Sequence, residues 1–406
     1  MATVLDEDKA DRYSRRSAFE VFGAFLKLGL TSFGGPVAHL GYFRDELVLR
    51  RKWIDEKRYA DIVALCQFLP GPASSQVGFA VGLMSGGVTG ALAAWIAFTL
   101  PSAMILVVFA MATTAFDGPT GQALIHGLKL VAVAVVAQAV WGMAKSLTPD
   151  RPRAGIALAA VFIVTFAGVF GQFAAIILGA LAGLVLCRES DPKPLREIVF
   201  PVTKAVGIVC LVLFGLLLVV LPLLASATGS HSLDLFDSFY RSGSLVFGGG
   251  HVVLPLLQAE VVDSGWVSEG SFLAGYGVAQ AVPGPLFTFA AYLGAAAGPT
   301  PNGLLGATIA LVAIFLPGFL LLVGALPFWG ILNRLPSAQA VMRGANAAVV
   351  GVLGAALYDP VWTSAVFTST DFTLALAGFL LLVVWKMPPW IVVLLMAGVA
   401  VLLQIL

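Results

Sequence analysis

The sequence predicts an all-α polytopic membrane protein with two inverted-topology repeats and broken or re-entrant helices. Three observations predict it: hydropathy, an internal repeat and the charge of the loops. Hydrophobic residues fill 59% of the 406 positions, charged residues fill 11%, and the mean hydropathy is +0.96. A soluble domain carries about 25% charged residues. Apolar runs at 90–112 and 205–225 reach the ~20 residues that cross a bilayer. We therefore expect membrane lipid around the chain and no nucleic-acid partner, although the net charge of +1 by itself says nothing about nucleic acid.

An internal repeat divides the chain. The stretch "FLKLGLTSFGG" (25–35) aligns with "FYRSGSLVFGG" (239–249) at an offset of 214 residues. Pro-Gly-Pro units at 70–72 and 283–285 follow at an offset of 213 residues. Matching segments that occur in the same order in both halves of the chain indicate a tandem duplication. The predicted organisation is a cytoplasmic tail (1–17), a first repeat (18–190), a linker with an extra transmembrane helix (191–232) and a second repeat (233–406).

Loop charge predicts the orientation of the two repeats. The N-terminal tail and loop 44–58 are strongly basic, so the positive-inside rule places both in the cytoplasm. Loop 256–271, the counterpart of 44–58, carries acidic residues and no Lys or Arg. Each repeat contains either two hairpins followed by four crossings or six plain crossings. Both counts are even, so the single linker helix inverts the second repeat. Inverted repeats are characteristic of secondary transporters.

Two glycine- and proline-rich breaks recur in each repeat, "FGGP"/"FGGG" and "LPGP"/"VPGP". A helix cannot continue through Pro-Gly-Pro, and non-helical backbone at membrane depth must be buried in protein or line a cavity. A helix that restarts after such a break presents free N–H groups, which attract an anion. The alternative is that the breaks are packing kinks. The candidate substrate-binding residues in and beside the breaks are Gly34, Gly35, Gln67, Pro70, Gly71, Pro72, Ser74, Ser75, Gly248, Gly249, Gly250, Gln280, Pro283, Gly284, Pro285 and Thr288.

Ionisable residues within the apolar segments form a second group of candidates. Lys27 and Arg241 occupy equivalent positions, and a cation at membrane depth costs at least ~2.5 kcal/mol. Both are therefore candidates to bind a divalent anion, and snorkelling to the interface is the alternative. Glu46 and Glu260 are expected to cap a helix or to pair with nearby basic groups. The remaining candidates are His39 and His251 for anion contact, and Asp61, Glu20 and His126 for a proton relay or for a solvated or structural role.

The sequence lacks the motifs of several enzyme and pump classes. No Walker loop, HExxH motif or nucleophile elbow is present, which argues against an ATP-driven pump or an intramembrane protease. Cys66, Cys187 and Cys210 lie in or beside apolar segments and follow no metal or disulfide spacing. We therefore expect no enzymatic activity, no cofactor and no metal site.

The motifs "FGGPVAHLGYFRDELV", "KWIDEKRYADIVALCQFLPGPASSQVG" and "FGGGHVVLPLLQAEVV" resemble the chromate ion transporter family in its long-chain, two-domain form. The resemblance covers nearly the whole chain. It implies a secondary transporter that exports chromate from the bacterial cytoplasm across the inner membrane and confers chromate resistance. Sulfate is the alternative substrate, and an importer of sulfate or a related oxyanion is the alternative function. The sequence leaves open whether the protein works alone or as a homodimer.

Overall fold

The computed structural model describes residues 16–112, 118–167, 171–188, 202–247, 249–332 and 335–405, and within these ranges it contains helices and no β-strand. The all-α prediction is therefore confirmed. Most of the predicted cytoplasmic tail and the candidate Gly248 lie outside the described residues.

The first part of the chain forms α1 (Ala18–Thr31), α2 (Gly35–Phe43, continued by a π-helical segment Arg44–Arg50), α3 (Glu56–Phe68), α4 (Ala73–Ala112), α5 (Pro119–Leu147), α6 (Arg151–Phe166) and α7 (Gly171–Leu186). After the outer helix α8 (Lys204–Thr228), the second part forms α9 (His231–Ser244), α10 (Val253–Val261, preceded by a 3₁₀ turn Gly250–Val252), α11 (Glu269–Ala279), α12 (Phe289–Ala296, preceded by a 3₁₀ turn Leu286–Thr288), α13 (Gly303–Ala325), α14 (Trp329–Leu332), α15 (Pro336–Ala356, continued by a π-helical segment Leu357–Trp362), α16 (Ser369–Val383) and α17 (Pro389–Ile405). Five helical stretches are long and apolar enough to cross a membrane: Ala73–Ala112, Pro119–Leu147, Lys204–Thr228, Gly303–Ile331 and Pro336–Trp362. The chain is therefore a multi-pass membrane protein.

Helices begin and end where local chemistry dictates. Asp55 caps α3 by accepting the Arg58 N–H at 2.9 Å, and Ser268 caps α11 in the same way. Inside α4, Gly86 (φ −137°, ψ 16°) and Gly87 (φ 65°, ψ −155°) leave the helical region, so α4 consists of two segments. The glycine at 87 is needed because a side chain disfavours positive φ.

The breaks turn the first four helical segments into two hairpins. The Arg16 N–H donates to the Ser85 carbonyl at 2.9 Å, and the Arg16 guanidinium lies 4.8 Å from the centre of the Trp53 ring. The start of α1, the loop before α3 and the end of the first α4 segment therefore meet at one end of the fold. We name it the basic end, since it includes the Arg- and Lys-rich loop 44–58. This geometry favours hairpins over six plain crossings.

The second part repeats this pattern at another end. The His231 ring lies 4.7 Å from the Trp266 ring, and the Gly298 N–H donates to the Trp266 carbonyl at 3.0 Å. We name this the acidic end, because its described segments contain Asp234, Asp237, Glu260, Asp263, Glu269, Asp359 and Asp371. Of the described Lys and Arg residues, only Lys129 and Arg241 lie in segments next to it.

The basic and acidic ends lie on opposite sides because the second α4 segment and α13 run antiparallel. Trp95 contacts the Phe315 and Phe319 rings, with centroids 5.7 Å apart in each pair. Ala103 and Val107, further along α4, pack with Ala307 near the start of α13. We interpret this arrangement as an inverted repeat.

The two parts exchange helices. α6 and α7 pack on α15 of the second part, whereas α16 and α17 pack on α5 of the first part. Gly183 and Gly344 allow the close approach of α7 and α15, since an added Cβ at Gly344 would meet the Gly183 backbone. Each part therefore completes the other's packing.

Candidate functional site

The four breaks meet through a reciprocal pair of backbone hydrogen bonds. The Gly71 N–H donates to the Val246 carbonyl at 2.7 Å, and the Gly284 N–H donates to the Ser32 carbonyl at 2.8 Å. Val246 and Ser32 are equivalent at the 214-residue offset, and each precedes a Phe-Gly-Gly sequence. Each Pro-Gly-Pro break is thus joined to the Phe-Gly-Gly break of the other part.

This meeting point lies partway along two of the candidate spans. An added Cβ at Gly284 would lie 2.8 Å from Ser102 Oγ on α4, and one at Gly71 would lie 3.1 Å from the Gly318 Cα on α13. Both glycines have positive φ, 120° at Gly71 and 103° at Gly284. Conformation and close contact therefore both require glycine here. Ser102 and Gly318 each follow a proline in equivalent stretches, "TLPSAMILV" and "FLPGFLLLV". That sequence signal could have assigned them to the site.

The Pro-Gly-Pro break of the first part opens onto buried polar groups. His39 Nδ1 lies 3.3 Å from Ser74 Oγ, and the His39 side chain also lies beside the Ser32 backbone. His39 and Ser75 are 1% and 2% exposed, and Ser75 Oγ has no hydrogen-bond partner among the described residues. Gln76 donates from Nε2 to the Pro70 and Gly318 carbonyls. Buried donors without acceptors, at the start of α4, suit an anion.

In the equivalent region of the second part the hydroxyl group is satisfied, whereas Gln280 Nε2 is buried without a hydrogen-bond partner among the described residues. Thr288, the counterpart of Ser75, donates its hydroxyl to the Pro285 carbonyl at 2.7 Å. His251 Nδ1 lies 2.7 Å from the Tyr276 hydroxyl, and Tyr276 also contacts Gln280. The two Pro-Gly-Pro breaks therefore differ in the polar groups they leave without partners. Sequence reasoning missed Ser32, Gln76 and Tyr276, which carry no charge and stand in apolar surroundings.

Lys27 and Arg241 are ion-paired rather than isolated. Lys27 Nζ lies 2.6 Å from Glu46, while Arg241 contacts Asp237 at 2.9 Å and Glu260 at 3.0 Å. The expected pairing of Glu46 and Glu260 with basic groups is thus confirmed. Direct contact of the two cations with an anion stays a prediction.

The charge surrounding the two glutamates differs, although both lie outside the candidate spans. Burial by itself would raise the pKa of Glu46, but hydrogen bonds from Lys27, Arg51 and Arg50 outweigh it and lower this pKa to about 2. Burial raises the pKa of Glu260, and the charge of Arg241 only partly opposes it.

The remaining candidates lie away from the meeting point. Gln67 is exposed, Glu20 lies 3.7 Å from Arg16 at the basic end, and Asp61 is half-buried on α3. His126 lies near the start of α5, where its Nε2 is 2.7 Å from Asp371. The structure therefore does not bring Glu20 and His126 into one proton relay. Within the described ranges, no group of His, Cys, Asp and Glu could hold a metal ion.

Comparison with known proteins gives a consistent result. The family model described as "Chromate transporter" matches residues 19–184 and 233–402. A "Chromate transport protein" of Pseudomonas aeruginosa is 29% identical over 397 residues, covering 93% of this chain and 90% of that protein. A protein of the same description from Cupriavidus metallidurans is 30% identical, covering 82% and 80%. A "Probable chromate transport protein" of Synechococcus elongatus is 29% identical, covering 82% of each chain. No solved structure matches the chain.

Proposed function

The chain belongs to the chromate transporter family, and from this membership we propose that it is a secondary transporter that exports chromate across the bacterial inner membrane. Chromate transport is what the printed names of three relatives describe. The export direction, the inner-membrane location and the resulting chromate resistance are the parts that this proposal adds.

The observation that carries the proposal is the reciprocal bonding of Gly71 to Val246 and of Gly284 to Ser32. It places four backbone breaks together partway along candidate spans, where irregular backbone must line a cavity or be buried. The anion would be held by the free N–H groups at the start of α4 and by the Ser75 hydroxyl. Because both parts contribute to each pair of breaks, movement of one part against the other would change both access routes together.

The distribution of charge supports export. At the basic end three cations, Lys27, Arg50 and Arg51, surround the single carboxylate of Glu46. At the acidic end one cation, Arg241, faces two carboxylates. The basic end, cytoplasmic by the positive-inside rule, would attract the anion, and the acidic end would favour its departure. A dianion leaving an inside-negative cell also gains roughly 4.6 kcal/mol per 100 mV, so neither ATP nor a second ion is required.

Substitution at the two glycines tests the proposal. Gly71→Ala and Gly284→Ala place a Cβ at positive φ and against Gly318 or Ser102. We expect each variant to lose chromate transport about tenfold or more, because the backbone donors can no longer keep their positions. The measurement is export of labelled chromate from proteoliposomes under a controlled potential, together with chromate accumulation in cells.

The matched control is Gly142→Ala on α5, where an added Cβ meets nothing within 4 Å. This variant should transport chromate normally. Normal transport by both break variants would show that the breaks are packing kinks. If expression of the wild-type protein raises cellular chromate, the protein is an importer. If labelled sulfate moves and chromate does not, sulfate is the substrate.

A further inference from the structure

A polar cavity lies at the acidic end, away from the meeting point of the breaks. It has a volume of ≈ 550 Å³ and lies between the starts of α5 and α16 and the end of α17. Its polar lining consists of Gln122, His126, Lys129, Thr368, Thr370, Asp371 and Gln404. Both parts of the chain therefore contribute to it.

Asp371 is held firmly within this cavity. Its Oδ2 accepts the backbone N–H groups of Phe367 at 3.1 Å and Thr368 at 2.9 Å, while its Oδ1 lies 2.7 Å from His126 Nε2. Thr368 in turn caps α16 by accepting the Asp371 N–H. The backbone donors favour the ionised carboxylate of Asp371, and His126 beside it has both a neutral and a cationic form.

Lys129 lies one turn beyond His126 on α5 and lines the same cavity. Its amine packs against the start of α11, where an added Cβ at Gly270 would lie 3.1 Å from Lys129 Nζ. No salt bridge to Lys129 exists among the residues that the structure describes. The other cation near the acidic end, Arg241, is already paired with Asp237 and Glu260. Lys129 is thus the cation left to bind an external charge.

The charges around His126 can be assigned element by element. On α5 the facing charge is Lys129, on α16 it is Asp371, and the polar group of α17 is the uncharged Gln404. On α11, Glu269 precedes Gly270 and does not line the cavity. With neutral His126 the charges of Lys129 and Asp371 balance. With protonated His126 the lining has one net positive charge.

We propose that this cavity is a second oxyanion-binding site, which takes a tetrahedral oxyanion through Lys129, His126 and the neighbouring hydroxyl and amide groups, and which binds more tightly in acid. The site can take a free oxyanion such as sulfate or the phosphate of a lipid headgroup, because both offer the same acceptor oxygens. It requires neither the export direction nor chromate as substrate.

Sulfate binding to the purified full-length protein in detergent tests the proposal by isothermal titration at pH 5.5 and pH 7.5. We expect Lys129→Gln to weaken this binding about tenfold, and His126→Gln to remove its increase in acid. Lys129→Arg keeps the positive charge and should bind sulfate with about the affinity of the wild type. Lys145→Gln, which changes a cation on the same helix at the basic end, should bind as the wild type does. Melting curves without anion verify that each variant is folded.

A second series adds phosphatidylglycerol instead of sulfate. If this lipid binds in a Lys129-dependent manner and sulfate does not, the oxyanion site is supported and its occupant is the lipid phosphate. The proposal is overturned if neither anion binds, or if folded Lys129→Gln keeps the affinity and pH dependence of the wild type. Gly71→Ala distinguishes the two sites, because it should lose transport and keep the acid-dependent binding.

Discussion

Glu46 and Glu260 occupy equivalent positions and have opposite electrostatic roles. Three cations contact Glu46, and its pKa is lowered to about 2. One cation contacts Glu260, and burial raises its pKa. A lowered carboxyl pKa stabilises the fold at pH values above the unfolded pKa, and that stabilisation is lost as the pH falls through the folded pKa. A raised carboxyl pKa makes the opposite contribution to folding stability, so ionised Glu260 destabilises the fold at neutral pH.

We predict that Glu46→Gln destabilises the protein at pH 7 by about 3 kcal/mol, the order of magnitude that a pKa of about 2 instead of 4.5 implies. The difference from the wild type should narrow as the pH falls from 5 to 3. Glu260→Gln is the matched variant. It should leave stability at pH 7 unchanged or increase it, because Arg241 still forms its salt bridge with Asp237. Thermal unfolding in detergent across this pH range measures both. Equal destabilisation by the two variants would contradict this account.

At the scale of helices, two glycines determine how closely the hairpins approach the long spans. An added Cβ at Gly29 on α1 would lie 2.8 Å from the Ala97 and Phe98 carbonyl oxygens on α4. Gly243 on α9 is equivalent and would contact the Ile314 carbonyl on α13. Pairs of helices that meet backbone to backbone exclude any side chain at the contact. Both hairpins therefore depend on glycine at the same register.

We predict that Gly29→Ala and Gly243→Ala each lower stability by about 1–3 kcal/mol, because the added methyl separates the packed helices. Gly23→Ala, on the same helix as Gly29, meets nothing within 4 Å and should be neutral or stabilising. Melting temperatures of the three variants provide the comparison. If Gly23→Ala is as harmful as Gly29→Ala, the effect comes from α1 itself rather than from its contact with α4.

At the scale of the whole molecule, opposite ends carry opposite charge. The antiparallel packing of the second α4 segment on α13 separates the basic end from the acidic end. The exchange of helices between the two parts supports this arrangement, because α16 and α17 would lose their close-packed contacts if they left α5. The orientation in the membrane then follows from the positive-inside rule.

We predict that the basic end faces the cytoplasm and the acidic end faces outward. In a background without the three native cysteines, Ser264→Cys should react with an impermeant reagent in intact cells, and Lys57→Cys should react only after permeabilisation. Both side chains are exposed, so accessibility within the fold does not bias the comparison. Labelling in the reverse pattern would exclude the inverted orientation proposed here.

Much of the architecture follows from the sequence by itself. Hydropathy predicts a membrane protein, because the preference of apolar side chains for the bilayer depends on their own chemistry. Pro-Gly-Pro at 70–72 and 283–285 predicts the helix breaks, because proline restricts the backbone locally. Repeat alignment also predicted that Glu46 and Glu260 pair with basic groups. The repeat alignment could not show which of Ser75 and Thr288 has a free hydroxyl, because both carry a hydroxyl at equivalent positions.

Only the tertiary structure decided which break meets which and which hydroxyl stays free. The Gly71 N–H finds its acceptor at Val246, and Gly284 finds its acceptor at Ser32, across the boundary between the two parts. Thr288 bonds to Pro285, whereas Ser75 has no partner among the described residues. The physical reason is that a freed backbone or side-chain donor takes its acceptor from whichever segment packs against it, and long-range packing determines that segment.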